Sequence, residues 1–270
     1  MVTIEIFAIG NELLIGDVLD TNSHWVIKKI TGMGGQVNRS AILPDEKEVI
    51  APEIQGALLR KTEVIFTIGG MGPTADDLTL AAIAQAIDQP LEPHAEAMAL
   101  VQQKYQELAQ KGYVQDATLT PAREKMGILP KGSFPIPNPV GAAPAVISLV
   151  QDSMIMSLPG VPQELKTIFD NSLLPLIQEK LGDKFYLEKE TLVRSNDESA
   201  IAPLLQKVAQ NHPQVYIKSR AKQFERNRRF QVTFAYCGES KAAVMLTIDQ
   251  AIQDWEQELD KVGISLEHLE

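Results

Sequence analysis

The sequence predicts an α/β protein: a mostly parallel sheet covered by helices, followed by a small α+β domain. Three observations carry this expectation. Runs rich in β-branched residues end in glycine at "VTIEIFAIG" and "EVIFTIGG". Segments of helical periodicity lie between the strand-like runs, so that a β-α-β-α-β order is complete by residue 66. A second, shorter series of β-α-β-β-α order begins near Gly182. At 270 residues and 44% apolar content, the chain can bury a substantial core as one large domain or as a main domain with a smaller one.

Residues 2–10 read as a buried first strand. Asp20 to Ile30 follows as a helix, with Trp25, Val26 and Ile30 on its apolar side and a capping-type start. Val37 to Ile42 is the next strand, Glu46 to Arg60 a helix, and residues 63–70 a core strand. Helices are expected from Thr79 to Ile87 and over residues 92–111. From Gly112 to Pro144 periodicity weakens and prolines accumulate. "AVISLVQDSMIMSLPG" then reads as two short strands around a polar turn at Gln151 to Ser153, and Pro162 to Leu181 as a helix. In the second series, "KFYLEKETLVR", "QVYIKSR" and "RRFQVTFAYC" are strands. Glu198 to Asn211 is a helix capped by Ser195, Asn196 or Asp197, and Ser240 to Leu259 a closing helix.

A net charge of -10 argues against a general affinity for polyanions. The one cysteine, Cys237, excludes an internal disulfide and fits a reducing compartment, and it reads as a thiol at the end of a strand. No window approaches eighteen apolar residues, and "MVTIEIFAIG" has neither a basic segment nor a long apolar run, so a cytoplasmic protein without a membrane span is expected.

Four stretches carry candidate chemistry. In "AIGNELLIGDVLDTNSHW", polar residues gather after a strand, where parallel sheets bind ligands. Asp20 to Ser23, including Asn22, can cap the next helix, whereas Glu12, between glycine and an apolar pair, has no such duty. In "AILPDEKEVI", Asp45 stands at a strand exit, as a site carboxylate or as a helix cap. In "TIGGMGPTADDLT", Gly69, Gly70 and Gly72 permit close ligand approach and expose amides that can meet phosphate oxygens ahead of the helix at Thr79. The loop has neither the lysine of the P-loop nor the dinucleotide fingerprint. Asp76 and Asp77 stand there instead, as Mg²⁺ ligands or as helix caps. Finally, "NPVGAAPAV", with Asn138 and Gly141, and "SLPGVPQEL", with Pro159, Gly160 and Glu164, form stiff loops that either hold a ligand or merely connect strands.

Taken in order, "GNELLIGDVLDTNSHW", "LPDE", "GGMGPTADDLT", "NPVGAAPA" and "LPGVPQEL" closely resemble the amino-terminal portion of the CinA family, within the molybdopterin-binding (MoaB/Mog-like) superfamily, over residues 3–175. The resemblance implies a three-layer α/β/α domain at residues 1–175 and a KH-like α+β domain at 182–262. It also implies homo-oligomers, with a dimer the first guess. It implies a metal-dependent pyrophosphatase acting on ADP-ribose or a related dinucleotide. Matched by motif, the superfamily's two important aspartates fall on Asp45 and Asp77, Asp76 completes the doubled acid of the CinA branch, and Gly69, Gly70, Gly72, Thr74 and Thr79 line the phosphate loop. The chain departs from the pattern at Ala145, where "GAAPG" is common, and at "NDESAIA", which lacks a glycine. CinA proteins continue into an amidohydrolase domain, and no deamidase activity is expected within these 270 residues.

The expected reaction is hydrolysis of a pyrophosphate bond, releasing AMP. Mg²⁺, or Mn²⁺, would be held by Asp77, Asp76 and Asp45, with Glu12 contributing, and no histidine would be needed. One alternative is binding of molybdopterin or a nucleotide without turnover. Another is RNA binding through "KSRAKQFERNRR" (218–229), although no GXXG loop appears in the KH-like unit and the stretch also reads as a solvated hairpin.

Overall fold

Successive residues of a strand point to opposite faces of its sheet, so a strand that is apolar throughout must be covered on both sides. Strands β1 (Thr3–Ile9) and β3 (Val64–Ile68) are almost entirely buried, and the computed structural model covers them on both faces. It describes residues 2–195, 197–221 and 229–268. Contacts group the chain into two units, residues 1–31 with 35–181, and residues 32–34 with 182–270.

In the first unit, β1 is followed by a short helix α1 (Asn11–Leu14), helix α2 (Thr21–Gly32), strand β2 (Gln36–Leu43) and helix α3 (Lys47–Leu59). After β3 come α4 (Thr79–Ala86), β4 (Leu91–Pro93), α5 (Ala95–Gln110), α6 (Pro121–Lys125), β5 (Ile128–Pro130) and β6 (Phe134–Ile136). The hairpin β7 (Ala145–Val150) and β8 (Ser153–Leu158) leads to α7 (Pro162–Ile168), a π-helical turn (Phe169–Leu173) and α8 (Leu174–Leu181). Six strands form one sheet in the order β2-β1-β3-β8-β7-β6. The four strands β2, β1, β3 and β8 are parallel, and β7 and β6 continue the sheet antiparallel.

One face of this sheet presents Phe7, Ile9, Ile65 and Ile155 to Ile50, Ile54, Ala57 and Ile83 of α3 and α4, with Ala97 of α5 in the same core. The other presents residues of opposite parity, and there Phe66 stacks on Phe169 at 6.2 Å between ring centroids, while Trp25 of α2 meets Phe169 edge-on at 5.2 Å. The result is an α/β/α layering. Buried aliphatic and aromatic side chains of this size each contribute about 1.5–3 kcal/mol, which is why the layers hold without disulfides.

The helix expected at 92–111 starts only at Ala95. Leu91–Pro93 pairs instead with Ile128–Pro130 as a two-stranded ribbon, and His94 caps α5 by accepting from the Ala97 amide. The helix expected from Pro162 to Leu181 is interrupted by the π-helical turn, which turns Phe169 and Leu173 into the core. Among the described residues no helix is long and apolar enough to cross a membrane.

The second unit contains β9 (Phe185–Arg194), α9 (Glu198–Asn211), β10 (Tyr216–Ala221), β11 (Arg229–Gly238), α10 (Lys241–Asp260) and a final strand β12 (Leu266–His268) that sequence periodicity missed. Its four strands form an antiparallel sheet in the order β10-β11-β9-β12. Trp255, Phe234, Ile248 and Ile201 fill its own core. Asp197 caps α9 by accepting from the Ser199 amide at 2.8 Å. Asn196, and residues 222–228 of the basic stretch, lie outside the described residues. The strands on either side of that stretch, β10 and β11, pair antiparallel.

One buried charge in the first unit is fully compensated. Glu5 is 3% exposed in β1. Arg60 donates to both of its oxygens, at 2.8 and 2.7 Å, and Thr62 donates at 2.7 Å. Burial works against the Glu5 carboxylate, but the bonds from Arg60 and Thr62 and the charges of Arg60 and Arg39 prevail and hold its pKa below the ordinary 4.5. Stability from this group is therefore complete above the unfolded pKa and is lost as pH falls through the lower folded value. We expect Glu5→Gln to cost about 2 kcal/mol at pH 7, below the range for a fully buried pair because Arg60 is partly exposed. In denaturant titrations, the gap to the wild type should close as the pH is lowered below 4.5.

Candidate functional site

From β1 the chain crosses to β2 on one side and then returns to β3 on the other. At such a reversal the connections leave in opposite directions and open a crevice beyond the carboxyl ends of the strands. A cleft of about 470 Å³ lies there, within the ordinary size of small-molecule sites. It is lined after β1 by Gly10 and Glu12, after β2 by Asp45, after β3 by Gly69, Gly70, Gly72, Asp76 and Asp77, and after β8 by Pro159 and Gly160. Asn22 of α2 and Glu164 of α7 complete that wall.

The floor is set by the glycine loop. At Gly69, with φ 104°, a Cβ would stand 2.2 Å from the carbonyl oxygen of Ile9, so no other residue fits. At Gly70, with φ 63°, a Cβ would collide with Thr79 Oγ1 at 2.3 Å. The loop is pinned at both ends: the Gly69 amide donates to Leu158 at 2.9 Å, the Thr79 amide to Gly70 at 3.1 Å and the Thr79 hydroxyl to the Gly69 carbonyl at 2.7 Å. The amides of Gly70, Met71 and Gly72 make no hydrogen bond within the chain among the described residues. Backbone donors held in this way in a cleft suit an anion.

The acids line the same cleft, and Asp77 lies against the loop itself: a Cβ on Gly72 would stand 2.7 Å from its Oδ2. Asp45 Oδ2 accepts from the Asn11 amide at 2.8 Å. Burial pushes its pKa up, the Asn11 bond opposes this, and the charges of Glu12, Asp76 and Asp77 push it up further. Asp77 Oδ2 accepts from the Thr74 amide at 2.8 Å and the Thr74 hydroxyl at 2.6 Å. The same hydroxyl bonds Asp76, whose pKa falls because of that bond, its own amide and the charge of Lys125. Lys125 donates to the Thr74 carbonyl. Among the described residues, no group of three or more His, Cys, Asp or Glu side chains is arranged to hold a metal ion.

The structure thus brings together Glu12, Asn22, Asp45, Gly69, Gly70, Gly72, Asp76, Asp77, Pro159, Gly160 and Glu164. It does not bring four others to the wall. Thr79 is fully buried and shapes the loop from behind. Thr74 is spent on Asp76 and Asp77. Asn138 and Gly141 line a neighbouring hollow, from which Asn138 Nδ2 reaches Glu164 Oε2 at 2.6 Å. Asp20 lines the cleft and also caps α2, accepting from the Ser23 amide at 2.9 Å. Sequence reasoning did not single out Tyr105 and Met126, which line the cleft and cluster with Ala142 and Ala143 of the "NPVGAAPAV" loop. Tyr105 belongs to the expected helix, whose periodicity does not say which side chain reaches a cleft, and Met126 to the stretch where periodicity weakens. Ala145, the departure from the family pattern, opens β7 and is not part of the lining.

A doubly covered α/β sheet with a glycine loop and acids at its switch point defines a class of proteins that hold small ligands at strand ends. A family model described as "Probable molybdopterin binding domain" matches residues 5–179. The chain belongs to this family, among its CinA-like members. The CinA protein of Thermoplasma acidophilum is 32% identical, with a TM-score of 0.57 over 67% of this chain and 98% of that one. A protein of Pyrobaculum arsenaticum is 40% identical over 220 residues, covering 82% of this chain and 80% of the relative. One of Pyrobaculum aerophilum is 36% identical over 253 residues, 92% of each.

Gly69→Ala should destabilise the fold by at least about 2 kcal/mol, from left-handed strain and the clash with Ile9, measured as a lower midpoint in urea. Asp45→Asn should act in the opposite direction. A raised folded pKa means that ionising Asp45 disfavours the fold as pH climbs above the unfolded value of 3.8. The variant should therefore be the more stable at pH 7, by less than about 1 kcal/mol because solvent screens a partly exposed carboxylate. This gain should disappear well below pH 3.8.

Proposed function

We propose that the cleft binds a phosphate-bearing heterocycle, a pterin phosphate of the molybdopterin type or a nucleotide. The observation that carries this reading is the set of amides at Gly70, Met71 and Gly72, held without a chain partner among the described residues at the mouth of β3. Three N–H groups without a chain partner, on residues that line the cleft, are donors that phosphate oxygens can satisfy. The family's description as a molybdopterin-binding domain supports the same ligand class.

A second reading, cleavage of the pyrophosphate bond of ADP-ribose or a related dinucleotide to release AMP, is favoured by the acids Glu12, Asp45, Asp76 and Asp77 that line the cleft beside those amides. Asp45 is held by the Asn11 amide, and burial and the charges of Glu12, Asp76 and Asp77 push its pKa up, a repulsion that a cation among these acids would relieve. A divalent cation entering with the phosphates would be held by Asp45 and Asp76 or Asp77 and would supply charge neutralisation and a more acidic water. Asp77 and Asp76 keep the loop in shape through Thr74, and the Gly70 to Gly72 amides would take up charge on the phosphate oxygens.

Calorimetry with inorganic pyrophosphate and ADP-ribose in Mg²⁺, alongside chromatography of products, tests both readings. We expect binding by the wild type, AMP formation from ADP-ribose, and at least about a hundredfold slower turnover in Asp77→Asn. Binding without product removes the hydrolase reading and leaves the binding one. The absence of binding by a folded protein overturns both.

A further inference from the structure

The wall of the cleft carries no cation among the described residues. Six acids line it, Glu12, Asp20, Asp45, Asp76, Asp77 and Glu164, and neither lysine, arginine nor histidine does. The amides of Gly70 to Gly72 offer donors to an anion but only partial charge. Like charges brought together disfavour binding, so an oligophosphate entering this cleft calls for an offsetting charge from elsewhere in the fold.

One lysine reaches the loop from outside. Lys125 ends α6, and its Nζ donates to the Thr74 carbonyl, 51 residues away along the chain. Pro73 before Thr74, and Asp76 and Asp77 after it, line the cleft, as does Met126, which follows Lys125. Residues 73–76 are exposed, and Thr74 holds Asp77 by amide and hydroxyl and Asp76 by hydroxyl, all within the loop. Among the described residues, Lys125 is thus the one side chain from outside residues 72–77 that bonds them. Its base is rigid. Thr120 caps α6, and the Arg123 guanidinium is tied to the carbonyls of Asp116 and Thr118 at 3.0 and 2.7 Å and lies 3.9 Å from the Tyr105 ring centroid. Just beyond, a Cβ on Gly127 would stand 2.5 Å from Met98 Sδ, so the chain after Lys125 packs tightly on α5. An ammonium has three donors. One goes to Thr74, and the others have no chain partner among the described residues. The charge also acts on the loop: Asp76 is held below its ordinary pKa by the Thr74 hydroxyl, by its own amide and then by Lys125.

We propose that Lys125 is the cation of the phosphate site: from α6 it ties down the outer half of the glycine loop and places one positive charge beside the loop's acids, so that an oligophosphate can enter a cleft whose own wall is acidic. This rests on the phosphate-bearing ligand proposed above and adds the residue that offsets its charge. Lys125 acts through the loop and through its field, as a positioning residue. The loop sequence lacks the lysine of the P-loop, and the fold supplies one from a distant segment. A compact ammonium on a flexible stem suits this task, because it can keep the Thr74 carbonyl while its field reaches past the loop.

The test is calorimetry of inorganic pyrophosphate binding at a fixed Mg²⁺ concentration in about 50 and about 300 mM KCl, with the melting temperature of each protein recorded. Lys125→Gln and Lys125→Arg are compared with the wild type and with Lys131→Gln, which changes the net charge equally at a lysine paired with Glu92 at 3.4 Å. Lys125→Gln should weaken pyrophosphate about tenfold at the lower salt and no more than about threefold at the higher, because ions screen a field but not a shape. Lys125→Arg should stay within about threefold of the wild type, and Lys131→Gln should match it at both salts. Wild-type affinity in Lys125→Gln overturns the inference and leaves the phosphate site standing. So does a loss of equal size at both salts, which makes Lys125 a support of loop shape alone. The absence of pyrophosphate binding by the folded wild type removes the phosphate reading and this inference with it. If Lys125→Gln does not fold, the same salt series is read on Lys125→Met.

Discussion

The first unit depends on one crowded point, where the ends of three parallel strands meet at Gly69. A side chain there would stand 2.2 Å from the Ile9 carbonyl, and a Cβ on Gly160 would lie only 3.5 Å from the Gly69 Cα. The Gly69 amide reaches across to Leu158, and Thr79 closes the turn from behind with its amide and hydroxyl. This contact joins the exits of β1, β3 and β8 and fixes where α4 begins. The next residues, Gly70, Met71 and Gly72, line the cleft, and their amides have no chain partner among the described residues. A loop that had to accommodate a Cβ would lift off the sheet, and the donor surface would be lost with it.

Three carboxylates in this unit show how the fold treats negative charge. Glu5, deep in the sheet, has a bidentate guanidinium and a hydroxyl, and its ionised form is favoured. Asp45 has one backbone amide and three acids nearby, and its ionised form is disfavoured. Glu164 has one neutral amide, and burial prevails there as well. The compensated charge is the one far from the cleft, and the two undercompensated ones line it. Strain of this kind lowers stability and leaves interaction capacity for something that enters, which is the usual relation between site residues and fold stability.

Much of the architecture was legible in the chain. Buried parallel strands are short apolar runs, helices repeat every 3.6 residues, and glycines needed at positive φ stand where strands end. The runs at Thr3–Ile9 and Val64–Ile68, and the acids Asp45, Asp76 and Asp77 beyond strand exits, are therefore visible locally. Periodicity failed where a short segment takes its structure from a distant partner. Leu91–Pro93 extends a predicted helix until Ile128–Pro130 pairs with it, and Leu266–His268 becomes a strand only by adding to β9.

The sequence by itself determined which chemistry was present: a glycine loop for close approach, acids at strand exits, and apolar runs long enough to bury a parallel sheet. Tertiary structure alone decided which of those groups share a cleft. Thr79, adjacent in sequence to the acids, turned inward because its hydroxyl satisfies the Gly69 carbonyl. Tyr105 and Met126, far from every glycine motif, were brought to the cleft by tertiary packing. The sense of each carboxylate also had to wait, since an Asp in a sequence carries no record of whether an arginine, an amide or another acid will face it. Spacing along a chain encodes local backbone geometry, whereas burial and electrostatic partnership are properties of contacts between distant segments.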